Sequence, residues 1–389
     1  MAHLLPEERD ELESDLGLVQ EAIRSGVTPA YANKKDAHWD LWIEFCAGLK
    51  LDPFLRKMAD PVPLLQVFAQ RYRDGRIAPS GKPVRSRTAE DALRSVGQMY
   101  SRVGTADPRT DRITGKVDFR IGRQLRSYKK ADPAPSRVKP IPITIVIQCL
   151  VHAFRTPALS HRQVLANMIC IGFYFCLRPG EYTGTTSDDH PFLLEDVAFH
   201  LHNRRLANAT ASDAEIEAAT SVSFTFTEQK NQQRNECISH ARSGDILCCP
   251  VKAAARQFIY HRNQRRQRNL PYDGKIPLAS YYSPTKRVAV TAKEVTSTLR
   301  WHANALQSQT GIKASDISAR SLRAGGAMAL LCADVDSTTI KLLARWNSDS
   351  MMKYLHQQSL PVFQRLATKM FANGTYSFLP DEWVPSAVG

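Results

Sequence analysis

Several kinds of chemistry are missing from this sequence. No apolar run is long enough to cross a membrane: the longest, Val164 to Leu177, has 14 residues and holds Asn167, against about 20 for a spanning helix. It reads as a buried core helix. Cys46, Cys149, Cys170, Cys176, Cys237, Cys248, Cys249 and Cys332 form no C-x-x-C pair and no Cys/His array at zinc spacing. Most lie in apolar stretches, which predicts reduced core thiols in a reducing, intracellular compartment. There is no G-x-x-x-x-G-K-[ST] loop and no acidic metal cluster, so neither a nucleotide cofactor nor a metal is expected. His200 and His202, two apart on an expected strand, have no third ligand. The start is acidic and polar, without a signal-peptide pattern. Acidic residues are also in deficit: 38 Asp and Glu face 52 Lys and Arg, a formal charge of +14 and a pI near 9.5. That balance favours a polyanionic partner, most simply nucleic acid.

What is present divides the 389 residues into unlike parts. Residues 1–23 hold seven acids and one base and read as a solvated helix or arm. Residues 24–130 carry helical periodicity: Trp39, Trp42, Ile43 and Phe45 on one face, then Leu65, Phe68 and Tyr72 after two prolines. Ala92, Leu93, Val96 and Tyr100 mark a third helix, and Phe119–Tyr128 a fourth. The expectation is a small helical bundle. Between Arg71 and Lys130, sixteen Lys or Arg stand against six Asp or Glu. Arg85, Arg87, Arg123, Arg126, Lys129 and Lys130 are therefore candidate phosphate contacts. Residues 131–142, with four prolines, read as a stiff linker, and 143–389 as a second domain. There, two core helices precede three period-two strands, 193–202, 221–227 and 235–240, expected to form a small antiparallel sheet. Further helices are expected from Pro250, over 292–309, before Arg345, and over 362–371; 203–220 reads as an insertion and 271–284 as loop. The end of the Pro250 helix, His261 to Arg268, is strongly basic and reads as a DNA-backbone contact, an import signal or a solvated face.

The chemistry concentrates in ISARSLRAGGAMALLCADVDSTTIKLLARWNSDSMMKY, 317–354. Two arginines, Arg320 and Arg323, lead into Gly325-Gly326; Arg345-Trp346 and Tyr354 follow. Guanidinium forks grip phosphates at any workable pH, and a tyrosine hydroxyl becomes a nucleophile when cations lower its pKa. Upstream, Arg178 sits where Pro179-Gly180 stops a helix, and Lys230 falls between the second and third strands. These parts together point to phosphoryl transfer onto a tyrosine.

The segments CLRPGEY (176–182), Lys230-Asn231, SLRAGGA (321–327) and Arg345-Trp346-Asn347-Ser348-Asp349 before Tyr354 resemble the tyrosine recombinase (phage integrase) family, and look closest to its eukaryotic Crypton-type transposon branch. The resemblance implies a mainly α fold of two domains. An N-terminal helical DNA-binding bundle would be followed by a C-terminal α+β catalytic domain with a small antiparallel sheet. It implies double-stranded DNA as partner, a homo-tetramer on paired sites, nuclear location in a eukaryotic host, and no cofactor. Arg178 and Arg323 would grip the scissile phosphate and Lys230 would protonate the leaving 5′ oxygen. Trp346 would donate its indole N–H or pack on the nucleophile, and Tyr354 would form a 3′-phosphotyrosine, with Glu181 orienting the first arginine's loop. One position departs from the family: Arg320 stands where relatives carry histidine, and an arginine does not exchange protons near neutral pH. His240 and His356 are candidate substitutes without a motif behind them. The rival readings are a catalytically impaired, domesticated transposase-derived DNA-binding protein and a type IB topoisomerase-like enzyme.

Overall fold

A computed structural model of the protein describes residues 5–111, 113–133, 138–155, 161–184, 191–227 and 235–346. The chain divides into two units, Met1–Pro135 and Ser136–Gly389, each with its own apolar core.

In the first unit, α1 (Pro6–Ser25) has proline in its first turn and Glu7 and Glu8 beside the positive end of its dipole. It is exposed along almost its whole length. Thr28 caps α2 (Pro29–Gly48) by accepting from the Tyr31 N–H at 3.3 Å. The core lies among α2, α3 (Val62–Arg73), α4 (Ser86–Arg102) and α5 (Phe119–Ala131). Trp42 meets Phe68 edge-on at 5.2 Å, and its indole N–H donates to the Pro53 carbonyl at 2.8 Å, which satisfies its polar end. Ile43, expected inward, is 39% exposed. It sits one residue past Trp42, about 100° round the helix and off the buried stripe.

In the second unit, α6 (Ile143–Phe154) and α7 (His161–Tyr174) form the centre of the core. After α8 (Pro179–Tyr182) comes a four-stranded antiparallel sheet in the order β2-β1-β3-β4. Its strands are β1 (Val197–Leu201), β2 (Arg204–Arg205), β3 (Ser221–Phe226) and β4 (Glu236–Ala241). Phe224 on β3 packs against Phe175 and Phe192 at 4.5 and 4.9 Å, so the inward face of the strand continues the helical core. His202 turns out of β1 at φ 55° and does not share a strand face with His200. The stretch between β1 and β3 is ordered: it holds β2 and α9 (Asp213–Ala218), started by a Ser212–Glu215 capping box. Next come α10 (Pro250–Arg266) and a hairpin of β5 (Ser280–Tyr282) and β6 (Arg287–Ala289), which lies partly in the expected loop. Three-residue strands are too short to show period-two alternation. The helix expected over 292–309 breaks into α11 (Ala292–Ala305) and α12 (Gln307–Thr310). The described chain closes with α13 (Ser321–Cys332) and α14 (Ser337–Ala344). No helix among the described residues is long and apolar enough to cross a membrane.

Candidate active site

Three breaks in helix geometry build the site. Past the end of α7 the backbone reverses at Cys176, φ 48°, and Arg178 becomes the residue preceding α8. Pro179 is pre-set for a first helical turn and cannot extend the previous helix. Three residues on, Glu181 folds back. Its carboxylate accepts the Arg178 backbone N–H at 2.7 Å and the Arg178 Nη1 at 2.8 Å. Glu181 is 8% exposed, whereas the Arg178 side chain keeps 28%.

The glycine pair sets the second element. A Cβ on Gly326 would fall on the Phe173 carbonyl oxygen of α7, and one on Gly325 on the Ile141 carbonyl. Both glycines therefore allow α13 to lie against its neighbours at backbone distance. Arg323, one turn earlier, is carried into the interior at 7% exposure. Its Nη2 donates to the Ala344 carbonyl, and its guanidinium lies 4.9 Å over the Trp346 ring. Its Nη1 is buried with no hydrogen-bond partner. Burial first, then the charge of Arg178, push the Arg323 pKa down to about 10. It stays charged at neutral pH.

The third break is Arg345, which ends α14 in the left-handed region at φ 55°. It is 2% exposed. Its Nη2 donates at 3.0 Å to Glu181 Oε2, the oxygen that also accepts the Arg178 backbone N–H, its Nη1 donates to the Phe175 carbonyl at 3.1 Å, and its guanidinium lies 3.7 Å from the Phe226 ring. Burial lowers its pKa and Glu181 opposes that shift. Arg178, Arg323 and Arg345 thus gather beside Cys176, whose thiol burial raises to about 11. Among the described residues Glu181 is the carboxylate that ion-pairs with them. Such a cluster lacks negative charge, and an orphaned buried donor points to an anion as its partner.

The structure brings together Arg178, Arg323 and Trp346 of the residues singled out from sequence. Arg320 lies at the exposed entrance to α13, its backbone N–H on the Ser318 hydroxyl at 3.3 Å. Lys230, Tyr354, His356 and the helix expected over 362–371 lie outside the described residues. His240 packs edge-on to Phe175 at 4.6 Å, and burial lowers its pKa. Sequence reasoning missed Arg345 as a site residue. The signal was an arginine at a helix end directly before Trp346, read only as part of a motif.

In the first unit, Arg123, Arg126 and Lys130 recur at i, i+3 and i+7 on α5 and are exposed, as is Lys129. Arg85 and Arg87 are exposed at the start of α4, where Ser86 donates its hydroxyl to Asp132 at 2.6 Å just past the end of α5. All six cations therefore belong to one helix and the neighbouring helix start. Arg120, on the same helix, is instead neutralised by Asp60 and Asp118. At the basic end of α10, Arg262 is buried while Arg266 and Arg268 are exposed. Arg262 and Arg266 both pair with Asp213, at 3.5 and 2.6 Å, Arg265 lies 3.8 Å from Asp273, and Arg268 stacks over Tyr282 at 4.7 Å. Those arginines hold α9 and the β5 hairpin to α10.

No family model and no curated protein matches the chain. Among solved structures it is similar to the Tn1549 transposon integrase in complex with circular intermediate DNA, at 13% identity over 92% of this chain and 98% of that one, with a TM-score of 0.48. It is also similar to the XerH site-specific recombinase bound to difH substrate, at 12% identity over 81% and 71% with a TM-score of 0.41. For the XerA recombinase the identity is 11% over 92% and 97%, with a TM-score of 0.35.

Proposed function

We propose that the protein is a tyrosine site-specific recombinase or integrase, of the Crypton-type branch, that cleaves and rejoins double-stranded DNA. The observation that carries this reading is the buried Arg323 Nη1 without a partner, beside Arg178, in a cluster short of negative charge. A phosphodiester supplies the missing anion. Arg178 and Arg323 hold its two non-bridging oxygens and stabilise the charge that grows there. The Tyr354 hydroxyl gives its proton to water, its oxygen attacks phosphorus to form a tyrosyl–phosphate bond, and the bond to the 5′ oxygen breaks. Lys230 gives its proton to that oxygen. Attack by a 5′ hydroxyl reverses these bond changes, so rejoining needs no ATP.

Two placements support the residues outside the described chain. Lys230 follows Phe226 by four residues, and the Phe226 ring lies against Arg345, so the base of its hairpin adjoins the arginines. Tyr354 follows Trp346 by eight residues, a reach of at most about 29 Å, and Trp346 touches Arg323. Residues 24–130 serve as the DNA-binding domain, using Arg85, Arg87, Arg123, Arg126, Lys129 and Lys130; 131–142 link it to the catalytic domain, 143–389. The working form is a homo-tetramer on paired sites, in the nucleus of a eukaryotic host. The test is a nicked suicide substrate made from DNA flanking the coding locus. Wild type should leave a covalent adduct, Tyr354→Phe none; an adduct with Tyr354→Phe removes the nucleophile assignment.

One observation favours a second reading, a transposase-derived protein that binds DNA without cutting it. Arg320, in the position where the resembled family carries histidine, is exposed at the start of α13. Salt-dependent binding with no adduct, and no rescue by Arg320→His, selects that reading.

A further inference from the structure

We infer that Arg345 is a positioning residue for Arg178: it donates to the Glu181 oxygen that also accepts the Arg178 backbone N–H, and so fixes the carboxylate whose other oxygen orients the Arg178 side chain. The inference rests on the phosphoryl-transfer reading above and assigns a role to a residue that reading does not use. Arg345 sits in a backbone conformation that glycine or asparagine adopts with least strain. An arginine there needs a compensating role, and its contacts name one. Its guanidinium donates to the carbonyls of Phe175 and Cys176, at 3.1 and 3.4 Å, which lie on the bend leading to Arg178. The same group reaches Glu181 at 3.0 Å. Glu181 in turn touches Arg178 through both its backbone N–H and its Nη1. One buried side chain therefore ties the end of α14, and with it Trp346, to the bend that presents Arg178.

Charge acts alongside this tether. Glu181 is shared between two guanidiniums, so Arg178 meets part of a countercharge. With Arg345 neutral, the whole carboxylate charge, buried at 8% exposure, falls on Arg178 and draws it into a closed pair. A cation so paired is withdrawn from phosphate.

The closing experiment compares wild type, Arg345→Met, Glu181→Gln with Arg345→Met, and Arg345→Lys in the full chain. One readout is single-turnover adduct formation on the suicide DNA. The other is the rise in unfolding temperature with tungstate, a tetrahedral oxyanion that reports on the arginines without chemistry. Arg345→Met should slow adduct formation about 100-fold, the scale of a misplaced catalytic group, with little change in DNA affinity, and lose the tungstate effect. The double variant should recover at least tenfold of that loss and regain the tungstate effect, because no charge is left to capture Arg178. Arg345→Lys, which keeps the charge but not the fork, should fall between wild type and Arg345→Met, and decides the matter if Arg345→Met does not fold. Equal loss in Arg345→Met and the double variant, or Arg345→Lys no better than Arg345→Met, overturns the inference. Absence of adduct in wild type itself would defeat the phosphoryl-transfer reading, and tungstate would then judge Arg345 alone.

Discussion

Two groups of arginines in the second unit differ in sequence, and folding treats them in opposite ways. The run at the end of α10 packs four arginines into seven residues, Arg262 to Arg268, the pattern that composition rules mark for nucleic acid. In space Arg262, Arg265 and Arg266 face carboxylates and Arg268 lies on a tyrosine ring. Arg178, Arg323 and Arg345 are dispersed over 168 positions (345 − 178 + 1), with no local charge density to mark them. Among the described residues, folding gathers them around a single ion-paired carboxylate and leaves two buried donors, Arg323 Nη1 and Arg345 Nε, unmatched. On the proposed function, what separates a structural arginine from a phosphate-binding one is the countercharge that the fold places beside it.

The largest expected effect tests that separation. Arg323→Ala should lower adduct formation by about 10²–10³-fold, the loss typical of one preorganised donor. Arg266→Ala, half exposed and paired with Asp213, should leave the rate within about threefold and change stability by less than about 1 kcal/mol. Single-turnover trapping on the suicide DNA and thermal unfolding decide between them. Equal losses in the two variants would break the comparison, since the α10 run would then also work on DNA.

Much of the second unit was legible because its signals are local. Proline after Arg178 marks the helix stop, and period-two alternation marks β3. The arginines of the site were legible as motif members. Their mutual geometry was not, because it depends on Glu181, on the left-handed turn at Arg345 and on the approach of α13 to α7, contacts made across long sequence separations. The pairing of the α10 run was not legible for the converse reason: its partners Asp213 and Asp273 lie outside it in sequence, and one sits in a stretch that reads as insertion. The short α9, β5 and β6 carry too few residues for periodicity to register.

The middle-sized effect concerns that approach. In a helix interior, Gly→Ala should stabilise by about 1 kcal/mol through propensity alone. At Gly326 the new methyl meets the Phe173 carbonyl and lies 2.8 Å from the Cys176 sulfur. Overpacking of this kind costs about 1–3 kcal/mol. The net effect of Gly326→Ala should therefore be a lower unfolding temperature and a slower adduct rate, with α13 displaced from the bend that carries Arg178. A stabilised Gly326→Ala protein would show that the two helices have room to spare and that Arg323 is not held by their contact.

The smallest effect sets both groups of the second unit against the exposed cations of the first unit. Arg123 and Arg126 share one face of α5 at the surface. Removing a cation that neutralises one phosphate should reduce the slope of log affinity against log salt by about one, uniformly across DNA sequences. Arg123→Ala and Arg126→Ala should each do this, and leave the rate of adduct formation from fully bound DNA unchanged. Arg120 supplies the internal control. It stands one turn before Arg123 on α5 but is paired with Asp60 and Asp118. Arg120→Ala should leave the salt slope unchanged, because its charge is already neutralised inside the protein. A slope that falls as much for Arg120→Ala as for Arg123→Ala would mean that countercharge does not sort the arginines of this unit, and that surface position alone governs their hold on DNA.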